Sequence, residues 1–283
     1  MPTTNSSGRA DGLGYPPASG PVAGTVVRTD ATGLSTLLTT IPVGGHSMRA
    51  YLARPDNDRN NLPVVLVVPD AYGLHEHAAD VARRFAREGY LAVAPDLLSR
   101  QGDPNTFTDV EKLLTEVLQH IPDQQVMADL DACAEWAVTH GGDRDRRAIV
   151  GFSWGGRWAW LYAAHAALAA AVVWYGVLDG AGSGLYPTSR PDLFPRHPLD
   201  VADHLRTPVL GLYGGDDAII PIDTVEAARA VVARRGPGAA DAEIVVFSGA
   251  PHDFHADYRE PYREGPAKES WSQALRWLRS HGA

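Results

Sequence analysis

The sequence predicts an α/β protein built on a single doubly wound, mostly parallel sheet with helices on both faces. Three observations predict it. Apolar, β-branched runs alternate with helical-period segments at least five times along the chain, the rhythm of right-handed βαβ crossovers. Some of those runs, Pro63-Val-Val-Leu-Val-Val-Pro69 above all, are apolar on both faces, as strands covered from two sides must be. Finally, 283 residues with 45% hydrophobic and 21% charged content can bury one large core, which rules out wholesale disorder.

Taken in order, the chain opens with a Gly/Ser/Pro/Thr-rich stretch from Met1 to about Gly24. It lacks the basic start and apolar run of a secretory signal, and residues 1–30 read as an extended arm, on the surface or partly disordered, ahead of a domain over 31–283. Ser35–Val43 and Met48–Ala53 flank Gly44-Gly45 as an antiparallel hairpin. The Pro63–Pro69 run is a buried central strand. Leu74–Glu88 carries Ala78, Val81, Ala82 and Phe85 at helical spacing and stops at Gly89. Tyr90–Ala94 is a second buried strand. Thr108–His120 and Asp123–His140 read as helices divided by Pro122. Arg147–Phe152 is a strand running into Ser153-Trp154-Gly155-Gly156 and a helix over Arg157–Ala167. Ala170–Tyr175, Pro208–Tyr213 and Glu243–Phe247 complete the strands, and Thr224–Arg235 and Pro266–Ser280 the helices. Leu178–Arg206, with Pro187, Pro191, Pro195 and Pro198, breaks the rhythm and reads as a loop covering an edge or a pocket.

Charge and composition exclude several functions. The net charge is −9 with no basic cluster, which disfavours a nucleic-acid partner. No stretch approaches the roughly 18 unbroken apolar residues of a membrane span. The single cysteine, Cys133, excludes an internal disulfide framework and a Cys-based zinc site, and it reads as a small core residue of its helix. The pairs in His75-Glu76-His77 and His252-x-x-His255 lack the spacing and partners of a metal site. The expectation is a soluble, cytoplasmic protein without cofactor or metal, whose partner is a small molecule; its oligomeric state is not legible.

The chemistry concentrates in three places. Gly151-Phe152-Ser153-Trp154-Gly155 is a G-x-S-x-G pentapeptide in the strand–turn–helix setting that motif requires. The turn is tight enough that a Cβ at either glycine would meet backbone, and it presents the Ser153 hydroxyl at the carboxyl edge of the sheet. The competing reading of Ser153 is an ordinary helix N-cap. A serine hydroxyl is a weak nucleophile, so a base and an orienting acid are needed downstream, in the order Ser, acid, His. Asp216-Asp217 follow the Pro208–Tyr213 strand, and Gly249-Ala-Pro-His252 follows the next strand. Both lie on the rim that carries Ser153, which favours His252 as base over a core histidine. Spacing alone leaves the choice between Asp216 and Asp217 open. Acyl transfer also needs preorganised N–H donors, here the backbone of Trp154 and of Ala71 in Pro69-Asp70-Ala71-Tyr72-Gly73. Tyr72 and Trp154 stand nearest the rim as walls of an apolar acyl pocket, which residues 178–198 could overhang, whereas Trp160 reads as core.

Five blocks occur in order: Pro69-Asp-Ala-Tyr-Gly-Leu74, the segment Gly89 to Gly102, Gly151-Phe-Ser-Trp-Gly-Gly156, Tyr213-Gly-Gly-Asp-Asp-Ala-Ile-Ile-Pro221 and Gly249-Ala-Pro-His-Asp-Phe254. Together they resemble the dienelactone hydrolase family of the α/β-hydrolase fold, from about Leu34 to His281. The resemblance implies Asp217 as the acid, four residues after the strand-end tyrosine, and a catalytic set of Ser153, Asp217 and His252. It implies cleavage of a carboxylic ester or lactone through an acyl-enzyme; an amide, thioester or polyester substrate, or a non-catalytic ligand-binding member, are the alternatives. The chain also departs from the family pattern. Well-known members use cysteine where Ser153 stands, and a glutamate where Asp70 stands, so Asp70 is expected to organise its loop, with a direct substrate-binding role at the site as the alternative. Their substrate carboxylate is held by an arginine that Arg100 matches. Beside the histidine they carry a small hydroxyl residue, where this chain has Asp253, which would either pair with Arg100 or repel an anionic substrate. A neutral ester or lactone is the expected substrate.

Overall fold

A computed structural model of the protein describes residues 13–57, 59–180, 186, 190–234 and 240–283. Its core is an eight-stranded sheet: β1 (Leu34–Val43), β2 (His46–Pro55), β3 (Leu62–Val68), β4 (Leu91–Pro95), β5 (Gly142–Phe152), β6 (Ala170–Trp174), β7 (Val209–Gly214) and β8 (Ala242–Phe247). The spatial order is β1-β2-β4-β3-β5-β6-β7-β8. β1 pairs with β2, and β2 with β4, antiparallel; every other pair is parallel. The expected hairpin forms, with Gly44 and Gly45 both at positive φ, 53° and 82°.

Seven α-helices clothe the sheet among the described residues: α1 (Glu76–Arg87), α2 (Val110–Glu116), α3 (Asp123–Thr139), α4 (Trp154–His165), α5 (Pro198–Val201), α6 (Ile222–Ala233) and α7 (Glu264–Ser280). Alternation along each strand sorts side chains between two cores. Val65 and Val67 of β3 pack with Phe85 of α1 and Leu278 of α7. Val64, Leu66 and Val68 face the other way, with Leu130 and Cys133 of α3, Trp158 of α4 and Val225 of α6. Cys133 is fully buried and its thiol pKa is pushed up by that burial.

Differences from the sequence expectation have local causes. The helix expected over Thr108–His120 is broken: Val117 leaves helical geometry (φ −123°, ψ −64°) before a 3₁₀ turn at Leu118–His120, and both Val117 and Leu118 are buried. α1 starts at Glu76 because His75 caps it, Nδ1 accepting the His77 N–H at 3.3 Å. The stretch Leu178–Arg206 contains α5. Tyr186, Phe194, Val201 and Leu205 of this stretch are buried, and beside α4 Arg157 donates to Asp123 and Arg196, with its guanidinium 4.4 Å from the Tyr186 ring and 5.6 Å from that of Phe194. Residues 181–185 and 187–189, with Pro187, lie outside the described residues.

Of the arm, residues 1–12 lie outside the described residues. The remainder runs against the domain along α1. Thr29 donates its N–H to Asp80 (2.6 Å) and accepts from Arg83 Nε (2.7 Å), Val27 donates to Asp257 (3.2 Å), and Val22 donates to the Tyr258 carbonyl (2.9 Å). Tyr15 stacks on Tyr258 at 5.4 Å. Among the described residues no helix is long and apolar enough to cross a membrane.

Candidate active site

The parallel strands β3, β5, β7 and β8 end on one rim, and the loops leaving them carry the candidate residues. At the end of β5 the chain turns through Ser153, whose φ of 51° and ψ of −113° lie outside the usual regions. The glycines around it are sterically required. A Cβ on Gly151 would stand 2.4 Å from the Gly155 carbonyl oxygen, and one on Gly155 only 2.0 Å from that of Pro69. Helix α4 thus begins hard against the end of β3. Ser153 occupies the N-cap position yet makes no side-chain capping bond. Its Oγ lies 2.8 Å from His252 Nε2 instead. The ordinary N-cap reading therefore fails.

His252 is reached from β8 through a turn in which the Ala250 carbonyl accepts the Asp216 N–H at 3.0 Å, tying the two loops together. Nδ1 of His252 is 2.7 Å from Asp217 Oδ2. A carboxylate only accepts, so Nδ1 carries the proton and Nε2 of the neutral ring accepts from the Ser153 hydroxyl. The choice left open by spacing is resolved in geometry. Asp217 is buried against His252 while Asp216 is exposed. Asp217 also organises its own turn, Oδ1 accepting the N–H groups of Ile219 and Ile220, each at 2.8 Å. Burial lowers the His252 pKa, but the charges of Asp253 and Asp217 and the Asp217 hydrogen bond outweigh it and raise it above the ordinary histidine value.

The loop after β3 supplies the second side of the site. Asp70 is buried, with Oδ1 accepting the Tyr72 N–H (2.9 Å) and facing His75 Nε2 (3.3 Å), while Oδ2 accepts the Tyr258 hydroxyl (2.9 Å). Burial alone would raise the Asp70 pKa; His75, the Tyr72 N–H and Arg259 hold it well below the usual carboxylate range. This network fixes the backbone on either side of Ala71. Among the described residues the Ala71 N–H meets no hydrogen-bond acceptor, and Trp154, first residue of α4, has no intrahelical one. Trp154 buries its indole edge-on to Trp158, ring centres 5.5 Å apart. Trp160 donates to Tyr213 Oη at 2.9 Å inside the core, as expected. Tyr72 is buried with the Arg259 guanidinium 5.2 Å from its ring.

The pairing of Asp253 with Arg100, one of the two expectations for that residue, needs correction. Arg100 does not meet Asp253. Its Nη1 donates to Asp129 of α3 at 2.6 Å and its Nη2 to the Val43 carbonyl at the β1–β2 edge. Asp129 is buried, and Arg100 compensates its charge; a free Arg100 would strand it. Asp253 is paired instead with Arg259 and stands 3.8 Å from His252 Nε2. Sequence reasoning missed Arg259, Tyr258 and His75. No motif spacing marks them, since each acts through a loop–loop contact. His255 packs against Phe152 and Trp174, and His77 lies 3.7 Å from Asp257.

Comparison with known proteins places the chain in a family. The Dienelactone hydrolase family model matches residues 48–282. A Salmonella typhimurium protein named "Putative carboxymethylenebutenolidase" is 47% identical over 283 residues, covering 100% of this chain and 98% of its own. A Methylorubrum extorquens protein of the same name is 44% identical over 272 residues, covering 95% and 89%. The crystal structure described as a putative dienelactone hydrolase from Klebsiella pneumoniae superposes with a TM-score of 0.80 at 49% identity, covering 87% of this chain and 98% of that one. The chain therefore belongs to the dienelactone hydrolase family, with its α/β-hydrolase fold, and is a hydrolase of the ester- and lactone-cleaving type.

Proposed function

We propose that the protein cleaves a small carboxylic ester or lactone by a serine acyl-enzyme mechanism. Ser153 Oγ attacks the carbonyl as His252 Nε2 takes its proton. Asp217 holds the imidazole in the tautomer this needs and stabilises the cation that results. The N–H groups of Ala71 and Trp154 receive the developing oxyanion, helped by the positive end of α4. The imidazolium then gives its proton to the leaving oxygen, and water hydrolyses the acyl-enzyme by the reverse sequence. The observation that carries this reading is the unbroken relay from Asp217 through His252 to Ser153, at 2.7 and 2.8 Å.

The substrate is proposed to be neutral where it meets this rim. Arg100 and Arg259 each already hold a carboxylate, Asp129 and Asp253, so neither is free for a substrate anion. Release of p-nitrophenol from a short neutral ester tests the assignment. Wild type turns the ester over with covalent labelling of Ser153, and Ser153→Ala loses both. Equal activity of the two proteins would refute the acyl-enzyme.

A further inference from the structure

We propose that Asp253 is a catalytic residue of the second half-reaction, its Oδ1 and His252 Nε2 together holding the water that hydrolyses the acyl-enzyme. The inference rests on the acyl-enzyme reading above. The two oxygens of Asp253 have different tasks. Oδ2 accepts from Arg259 Nη1, and the guanidinium is steadied over the Tyr72 ring at 5.2 Å. Oδ1 stands 3.8 Å from His252 Nε2, the nitrogen that faces the Ser153 hydroxyl at 2.8 Å. That gap is too long for a direct hydrogen bond and short enough for one shared water, about 2.8 Å from each end, to span.

The surroundings argue that this placement is built. Asp253 is only 5% exposed, a position where a carboxylate is costly unless paired, and Arg259 supplies the pair. Its backbone has φ of 60°, the left-handed region that most side chains avoid and aspartate tolerates best after glycine and asparagine. A turn closed by the Ala256 N–H on the Asp253 carbonyl, at 2.9 Å, holds it there. The carboxylate of residue 253 thus stands beside the same ring nitrogen that faces Ser153.

The chemistry needs such a group in deacylation. Once Ser153 Oγ is esterified it has no proton to offer, and Nε2 is free to accept from water. A water donating one O–H to Nε2 and the other to Asp253 Oδ1 turns a lone pair toward the acyl carbon. Its oxygen forms the new C–O bond as one proton passes to His252. The tetrahedral intermediate then collapses, the bond to Ser153 Oγ breaks, and His252 returns the proton to that oxygen. The second proton stays on the product acid, which ionises after release. Asp253 accepts a hydrogen bond throughout and takes no proton, consistent with its partner Arg259.

The test separates the two half-reactions in the full-length protein, using p-nitrophenyl butyrate at a pH where His252 is neutral. In Asp253→Asn, kcat is expected to fall at least about tenfold while kcat/KM stays within about threefold, so KM falls with kcat. Butyryl-Ser153 should accumulate by mass spectrometry, and hydroxylamine, a nucleophile that does not need the clamp, should restore turnover. Arg259→Gln, which unties Asp253 without removing it, should show the same split to a smaller extent and serves if Asp253→Asn does not fold. Equal losses in kcat and kcat/KM, or no change in either, would overturn the proposal. Failure of the acyl-enzyme reading would look different: neither wild type nor Asp253→Asn would carry a butyryl label on Ser153.

Discussion

At the residue scale, burial and charge act against each other on His252. In the proposed mechanism its ring must be neutral to take the Ser153 proton, and its pKa is raised by Asp253 and Asp217 against the opposing effect of burial. The sign follows directly. As pH falls, His252 protonates earlier than an ordinary histidine of pKa 6.5, so kcat/KM should fall through a midpoint above that value. Removing the Asp253 charge with Asp253→Asn should move this midpoint down, and a pH–rate profile that stays put would count against the electrostatic account. Asp217→Asn keeps the shape but can turn a donor toward Nδ1 and place the proton on Nε2. Its kcat should drop by on the order of 10⁴ with little change in stability by urea denaturation. Ser153 and its glycines were legible because the steric demand is local. The pairing of Asp217 rather than Asp216 was legible only through the resemblance, since two adjacent carboxylates differ in direction, not in composition.

At the element scale, α1 is the informative case. Its apolar stripe of Ala78, Val81, Ala82 and Phe85 was legible from period alone, but its charged face is not solvated as such faces usually are. Asp80, Arg83 and Arg84 are buried or nearly so beneath the arm and the segment after His252, with Asp257 accepting from Arg84 at 2.5 Å and from the Val27 N–H. Removing one member leaves its partner's charge underground. Asp257→Ala should therefore lower unfolding free energy by about 3 kcal/mol, read from the urea midpoint. Burial would raise the Asp257 pKa; His77 and Arg84 hold it below the usual carboxylate range. A depressed carboxylate contributes stability that is complete above its unfolded value and lost as pH drops. Wild type should accordingly lose stability below about pH 3.8, and the variant should lose less across the same interval. Nothing in the polar spacing of α1 or the low-complexity look of the arm announces these contacts, because they join segments 51 to 230 residues apart.

At the scale of the whole molecule, charge placement bears on the substrate. Asp253 and Asp217 surround His252, and Arg100 and Arg259 are committed. A mono-p-nitrophenyl succinate anion should be turned over with kcat/KM at least about tenfold below that of p-nitrophenyl butyrate, since a like-charge approach near 4 Å costs roughly 1–4 kcal/mol. Preference for the anion would show that an arginine exchanges partners on binding. The alternation of buried strands and amphipathic helices, the G-x-S-x-G turn, and the order along the chain of Ser153, Asp217 and His252 were determined by the sequence itself. Each depends on periodicity or sterics over a few residues, and the parallel sheet follows from the right-handed crossover. Which polar groups meet was decided only by tertiary structure. Arg100 went to Asp129 rather than Asp253, Asp70 to Tyr258, and the arm to α1, because a long-range polar contact has no periodicity. Its partner is set by which loops the packed sheet brings to within a few ångströms, and by the cost of leaving any buried charge alone.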